Sequence, residues 1–130
     1  MGSQINSLIL EGNLVRDIEV KNINDRVTVG KFTIAVNRLF KKADGITEEE
    51  VSFFDIECFG AMATKFKDKL KKGRGVRVVG RLKQDRWKSA QGVQFSKVVV
   101  VAEHLEIKPD KPKESNENES KETEYGEVVF

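Results

Sequence analysis

The chain has 130 residues, of which 38% are hydrophobic and 34% are charged, a composition typical of one globular domain with a polar appendage. Residues 1–107 carry 19 Lys and Arg against 14 Asp and Glu, whereas residues 108–130 carry 4 against 7, so a basic body precedes an acidic end. A single cysteine, Cys58, excludes an internal disulfide and a cysteine-rich metal site, and no apolar run approaches the length of a membrane span.

Five segments have the alternating or β-branched pattern of β-strands. In chain order they are 5–14, 27–37, 51–59, 75–83 and 93–107. Between the third and the fourth, apolar residues recur at every fourth position of 61–72 among lysines, which predicts a short amphipathic helix ending at Gly73. Three strands, a helix and further strands are the element order of an OB-fold. We therefore predict an all-β, five-stranded Greek-key barrel with one short helix.

One side of segment 51–59 combines aromatic rings with charges. The period of two puts Phe54, Ile56 and Cys58 on a core side. The opposite side mixes two rings with two carboxylates: Phe53, Phe59, Asp55 and Glu57. A single phenylalanine on a strand is more often a core residue than a ligand contact. Here at least one ring is expected to meet solvent or a ligand.

Segment 75–83 gathers cations on one side, at Arg77, Arg81 and Lys83, and Trp87 falls on that side if the strand continues. Polar turn-forming residues flank Trp87, so it is expected near a hairpin tip and outside any core. The cations alone would also fit an ordinary solvated strand face. Rings and cations together favour unpaired nucleic-acid bases, which stack on rings while cations follow the phosphates.

Two loops and the C-terminal segment complete the pattern. The Asp-Gly and charge run of 41–50 predicts a protruding loop that clasps a strand through Lys41 and Lys42, and 89–92 predicts a second finger. Residues 108–130 are rich in Pro, Lys, Glu, Asn and Ser, so we expect a disordered acidic tail after a domain at 1–107. The end of the tail is predicted to be a partner-docking peptide, formed by Glu127, Val128, Val129 and Phe130.

The sequence resembles the bacterial single-stranded DNA-binding protein family over essentially its whole length. The resemblance is carried by INSLILEGNL at 5–14, FTIAVN at 32–37, FFDIECFG at 53–60, LKKG at 70–73 and VVGRL at 78–82 running into Arg86 and Trp87. It departs from the family at positions 40 and 53, where Phe stands in place of the usual tryptophan. The tip also lacks the usual aspartate run before a final Pro-Phe.

The resemblance implies an OB-fold homotetramer that binds and protects single-stranded DNA without sequence preference in replication, recombination and repair. It implies recruitment of replication and repair proteins through the C-terminal tip, and a cytoplasmic, nucleoid-associated location. The resemblance implies a protein that needs no metal or cofactor. It also implies that the base-stacking rings are Phe40, Phe53, Phe59 and Trp87. The cations expected to contact DNA are Lys41, Lys42, Lys72, Arg74, Arg77, Arg81, Lys83, Arg86 and Lys88.

Assembly is also indicated by the first strand. Leu8, Ile9 and Leu10 are consecutive, so both faces of this strand are apolar, and a small barrel hides only one of them. A partner subunit covering the second face is one explanation. Burial under the helix or a loop is the other.

Two other functions compete with DNA binding. An enzyme is disfavoured because His104 and Cys58 are single copies of their kinds, no Gly-rich phosphate loop is complete, and Asp55 with Glu57 is better explained as a solvated pair than as a catalytic one. We therefore predict a protein without catalytic activity. The second alternative is a replication-accessory OB-fold module that mainly binds protein. The acidic tail argues against it.

Overall fold

The computed structural model describes residues 2–109. The predicted docking tip and the rest of 110–130 lie outside the described residues. The strands are β1 (Leu8–Leu14), β2 (Glu19–Asn22), β3 (Thr28–Lys41), β4 (Thr47–Phe59), β5 (Gly75–Lys88) and β6 (Gln94–Ile107), and the helix is α1 (Ala61–Phe66).

Five of the strands close into a barrel. The order β1-β5-β6-β4-β3 is completed by antiparallel pairing of β1 with β3, through Asn13 with Ala35 and Leu14 with Ile34. The β4–β6 contact is parallel, whereas the other strand pairs are antiparallel. Closure leaves this barrel without an open sheet edge along its paired residues. The prediction of an all-β OB-fold barrel with one short helix is confirmed for the described residues.

The core fills the barrel and is closed at one end by the helix. Its fully buried side chains come from four strands and the segment after α1: Ile34, Ile56, Cys58, Leu70, Val76, Val78 and Val100. Ala63 and Phe66 of α1 pack on the same cluster. Burial raises the pKa of the Cys58 thiol to about 11, so this thiol stays protonated and inert at neutral pH. The core side predicted for segment 51–59 is therefore correct.

The helix is shorter than the predicted 61–72. After Phe66 the backbone forms turns closed by local hydrogen bonds, such as those from the Lys69 and Leu70 N–H groups to the Phe66 carbonyl, and two of its peptide groups bond to the β1–β2 connection. The Ile18 N–H donates to the Leu70 carbonyl at 3.0 Å, and the Lys72 N–H donates to Asp17 Oδ1 at 2.8 Å. Leu70 still reaches the core. The prediction of a longer helix rests on the spacing of apolar residues alone, and that spacing contains no information about these long-range bonds.

Two long hairpins extend beyond the core. In β3–β4 the pairing runs from Val29 with Phe59 to Lys41 with Thr47, and in β5–β6 it runs from Val76 with Ile107 to Lys88 with Gln94. Residues 41–51 and 90–98 are exposed. Both hairpins are therefore longer than predicted, and the added length carries several of the candidate site residues. β2, a four-residue strand paired with β3, was not predicted.

Candidate nucleic-acid interface

One outer surface of the barrel carries large exposed rings. Phe53 is 64% exposed, Phe59 is 41% exposed and Trp87 is 50% exposed. Phe53 and Phe59 stand on the side of β4 opposite to Ile56 and Cys58, as the alternation predicts. Rings of this size at such exposure are unusual on a barrel that has a complete core, and they mark a contact surface.

Two lysines lie between the rings. Lys83 of β5 has its Nζ 5.9 Å from the centre of the Phe59 ring, within reach of a cation–π contact. The same Nζ lies 3.7 Å from Glu57 Oε1 and 3.2 Å from Asp85 Oδ1. The side chain of Glu57 is only 11% exposed, so Lys83 is paired with a carboxylate that is largely buried beneath it. Lys83 is therefore held in place beside an exposed ring.

Lys97 of β6 is fixed in a similar way. Its Nζ donates to Asp55 Oδ2 at 2.7 Å, while the Thr33 hydroxyl donates to Asp55 Oδ1 at 2.8 Å. These two bonds hold the pKa of Asp55 below its ordinary value, the larger effect coming from Lys97, and the same Asp55 bond raises the pKa of Lys97. Both groups are therefore charged at neutral pH, and Lys97 is oriented on the outer surface.

Trp87 does not stand alone at the hairpin. It pairs across the strands with Phe95 of β6, and the two ring centres lie 5.9 Å apart with an angle of 20° between their planes. Phe95 is 46% exposed. We call the surface formed by Phe53, Phe59, Lys83, Trp87, Phe95 and Lys97, together with the carboxylates of Asp55 and Glu57, the aromatic face.

Phe95 and Lys97 were not predicted as site residues. Both follow from a signal in the sequence once the hairpin register is known. The loop Ser89–Val93 is closed by a hydrogen bond of 2.8 Å from the Ser89 N–H to the Val93 carbonyl, which sets Phe95 opposite Trp87. Every second residue of β6 then shares the aromatic face, which adds Lys97.

The fourth predicted ring lies apart from the others. Ala35 is paired with Phe53, and Phe40 stands five residues further along β3, so alternation puts Phe40 on the other side of the β3–β4 ribbon. Phe40 is half-buried, with the Arg38 guanidinium 5.3 Å from its ring centre. The nearby Lys42 is paired with Glu48 at 3.1 Å. A contact of this hairpin with DNA stays a prediction.

The predicted cations fall into separate groups. Arg81 shares the side of β5 that carries Lys83 and Trp87, and it pairs with Glu103 at 3.4 Å. Arg77 is on the same side but further from Trp87, and its guanidinium bonds Glu11 at 2.6 Å and Glu106 at 3.3 Å. The remaining predicted cations are elsewhere: Arg86 and Lys88 on the opposite side of β5, Lys72 and Arg74 after α1, and Lys41 at the end of β3.

The described part of the chain contains no group of three or more His, Cys, Asp and Glu side chains placed to hold a metal ion. Its helix α1 has six residues, and within residues 2–109 we find no helix of sufficient length and apolarity to cross a bilayer.

The single-strand binding protein family matches residues 5–108 of the chain. The chain belongs to this family. A single-stranded DNA-binding protein of Wolinella succinogenes is 40% identical over 102 residues, which are 78% of this chain and 63% of that protein. One from Helicobacter hepaticus is 35% identical over 107 residues, 82% of this chain and 63% of that protein. The resemblance inferred from the sequence is thus confirmed, although the chain spans less than two thirds of these relatives.

Solved structures show the same fold. A Plasmodium falciparum SSB in complex with single-stranded DNA matches with a TM-score of 0.75 and 19% identity, over 84% of this chain and 99% of that one. A single-stranded DNA-binding protein from Thermus aquaticus matches with a TM-score of 0.75 and 23% identity, over 82% of this chain and 52% of that one. The barrel of this chain therefore has the same fold as these two structures, and the aromatic face lies on its outer surface.

Proposed function

We propose that this protein binds single-stranded DNA without sequence preference through the aromatic face, and that it protects the strand without catalysing a reaction. The observation that carries the proposal is the joint exposure of Phe53, Phe59 and Trp87 on one surface, with Lys83 and Lys97 fixed between them. Any base offers a flat π-face to such rings, and the lysines follow phosphates of any sequence. Family membership and the names of the relatives support this function.

The cellular role in this proposal is the handling of exposed single strands in DNA replication, recombination and repair. The protein acts in the cytoplasm at the nucleoid, where such strands are produced. It recruits replication and repair proteins through the C-terminal tip formed by Glu127, Val128, Val129 and Phe130. The support for these statements is the family and the apolar residues 128–130, which follow an acidic stretch of the sequence.

A homotetramer is part of the same proposal. Leu8 and Leu10 pack against the core, whereas Ile9 between them is 66% exposed on the other face of β1. Its cross-strand neighbour Val79 is half-buried, so an apolar patch is left at this face. A second subunit covering this patch supports assembly. Mass measurement of the protein with and without poly-dT tests the subunit number, and a monomer under both conditions would contradict it.

Titration of an oligo-dT at increasing salt tests the binding function directly. Each neutralised phosphate lowers the logarithm of the affinity by about 0.7 per decade of salt on a single strand. We expect tight binding at low salt and a slope that corresponds to several contacts. Weak binding with little salt response would favour the accessory OB-fold module that mainly binds protein. Degradation of the labelled strand in the presence of divalent metal would instead indicate an enzyme.

Removing the carboxylate that binds Lys97 is expected to tighten DNA binding. In Asp55→Asn the aromatic face loses one negative charge, and Lys97 can bind a phosphate without first breaking its ion pair with Asp55. We expect the salt slope to steepen by up to about 0.7, the value of one additional phosphate contact. Asp25→Asn, which changes the same charge in the β2–β3 turn, serves as the matched control. Equal salt slopes for the two variants would show that the ion pair with Asp55 does not compete with the binding of a phosphate by Lys97.

Deleting residues 125–130 is expected to separate partner binding from DNA binding. The truncated protein should keep its affinity for oligo-dT or bind slightly more tightly, since a competing anionic segment is shortened. It should lose the capture of replication and repair proteins in a pull-down. A variant with the same six residues in scrambled order controls for length and composition. Capture of the same partners by the truncated protein would refute the docking role of the tip.

A further inference from the structure

We propose that Phe95 is a base-stacking residue that acts with Trp87 as one two-ring platform at the end of the β5–β6 hairpin. This inference rests on the proposed function and deepens it. It adds a ring that neither the strand alternation nor the family resemblance indicated. It also assigns the hairpin a specific part in binding.

The geometry of the two rings carries the first step. Trp87 and Phe95 are direct cross-strand partners, and their ring centres lie 5.9 Å apart with planes inclined by 20°. This separation falls within the range of about 4.5–7 Å for aromatic rings in contact. No base fits between two rings that already touch. A base therefore stacks on an outward surface of the pair.

The second step concerns burial. Both rings are about half exposed, and neither belongs to the buried core cluster of the barrel. The strand residues around them, from 90 to 98, are exposed as well. The contact between the rings thus removes one side of each from water and leaves the remaining surface exposed. A pair of this size has no packing role in the barrel, so a ligand is the physical reason for its exposure.

The third step is the charge beside the pair. Lys97 follows Phe95 by two residues on the same side of β6, and its cross-strand partner is Asp85, which binds Lys83. A base stacked on the pair therefore lies near two oriented cations, Lys97 and Lys83, which follow along the same side of β6 and β5. Contact with Phe95 also restricts the orientations of the Trp87 ring before DNA arrives. Such preorganisation reduces the entropy lost on binding.

Phe95→Leu in the full chain tests the proposal, because leucine keeps the apolar bulk and removes the ring. We expect a 5- to 30-fold loss of oligo-dT affinity, or roughly 1–2 kcal/mol at 1.4 kcal/mol per tenfold change. Phe95→Tyr should restore binding to within about twofold of the original protein, since the ring is retained. Val98→Ala, an exposed apolar residue on the other side of the same strand, is the matched control and should bind normally.

A second measurement tests the coupling of the rings. Trp87 is the only tryptophan, so its fluorescence anisotropy in the free protein reports its own mobility. Phe95→Leu should lower this anisotropy. The double variant with Trp87→Leu should lose less affinity than the product of the two single losses, because the second ring contributes less once the first is gone.

The outcomes separate this inference from the proposed function. Normal binding by Phe95→Leu together with at least tenfold weaker binding by Trp87→Leu would overturn the role of Phe95 alone. Normal binding by Phe95→Leu, Trp87→Leu and Phe53→Leu would overturn the proposed binding surface and this inference with it. Loss of self-association by Phe95→Leu with unchanged DNA affinity would assign the pair to a contact between copies of the chain and would also overturn the inference.

Discussion

Replacing Phe53 and Trp87 together with alanine is expected to weaken oligo-dT binding by about 2–6 kcal/mol, since each stacked base contributes about 1–3 kcal/mol. The two rings lie on different strands, β4 and β5, and Trp87 stacks on Phe95 rather than on Phe53. Residues without a shared contact have nearly additive effects, so the two losses should sum. Trp87→Ala alone should account for about half of the change.

This loss should occur without loss of the fold. Both rings are at least half exposed, so truncation opens no cavity in the core. Binding is measured by the anisotropy of a labelled oligo-dT at fixed salt, and the fold by circular dichroism and thermal unfolding. The combined variant Ile23→Ala with Val98→Ala removes two exposed apolar side chains outside the aromatic face and should bind normally. A Phe53, Trp87 double variant that binds within threefold of the original protein would exclude the aromatic face as the DNA site.

The barrel was predictable because its strands have one buried side. In segment 51–59, Ile56 and Cys58 must be covered for the chain to fold, so the opposite position of Phe53 follows from the backbone period. The same reasoning located the cationic side of β5. It requires no knowledge of which strands are neighbours. For this reason the fold class and the first part of the site could be derived from the sequence.

The remainder of the site depends on pairings that alternation does not contain. Phe95 joins Trp87 only through the register fixed by the hairpin loop, and Lys97 meets Asp55 only because β4 and β6 are neighbours in parallel. The side of the β3–β4 ribbon that Phe40 occupies depends on the continuation of β3 to Lys41, beyond the predicted end of this strand at residue 37. These facts belong to the tertiary structure. The local pattern therefore predicted that the site consists of exposed rings and cations. It did not predict which of these residues lie together on one surface.

Ion pairs are the largest difference between the sequence view and the structure. Counting cations suggests that Arg77, Arg81 and Lys83 are equally available to phosphates. In the barrel all three are paired with carboxylates: Arg77 with Glu11 and Glu106, Arg81 with Glu103, and Lys83 with Glu57 and Asp85. The Arg77 bond also holds the pKa of Glu11 below its ordinary value. Binding a phosphate through any of the three would require displacing these carboxylates. The salt slope of binding should therefore be smaller than the number of basic residues on β5 would suggest.

Gly80→Ala is expected to destabilise the fold by about 3 kcal/mol, at the upper end of the usual cost of adding a methyl group to a packed interior. An added Cβ at this position would overlap the carbonyl oxygen of Val101 and lie 3.0 Å from its carbonyl carbon and 3.2 Å from the Ala102 Cα. These are backbone atoms of β6, the neighbouring strand. A flexible side chain could turn away from the methyl group, whereas a paired strand must shift as a unit.

The position of Gly80 explains why this shift is costly. It is paired with Ala102 at the irregularity of the β5–β6 register, where Glu103 of β6 is passed over. Backbone strain at a left-handed φ is not involved, because the positive-φ glycines of the described chain are at 45, 60, 73 and 92. The effect of alanine is therefore a steric one. It should appear as a lower melting temperature, by about 12–24 °C given about 4–8 °C per kcal/mol for a domain of this size.

Gly75→Ala, in the same strand, is the control for the steric argument. There the nearest atoms to an added Cβ belong to the flexible side chain of Lys108, at 3.4–3.8 Å, so the methyl group is accommodated. Thermal unfolding of the two variants should show a large decrease for Gly80→Ala and almost none for Gly75→Ala. Equal melting temperatures would mean that β5 and β6 are less closely joined at Gly80 than the structure indicates. The β5–β6 hairpin, which holds Trp87 and Phe95, would then be less firmly joined to the barrel at this position.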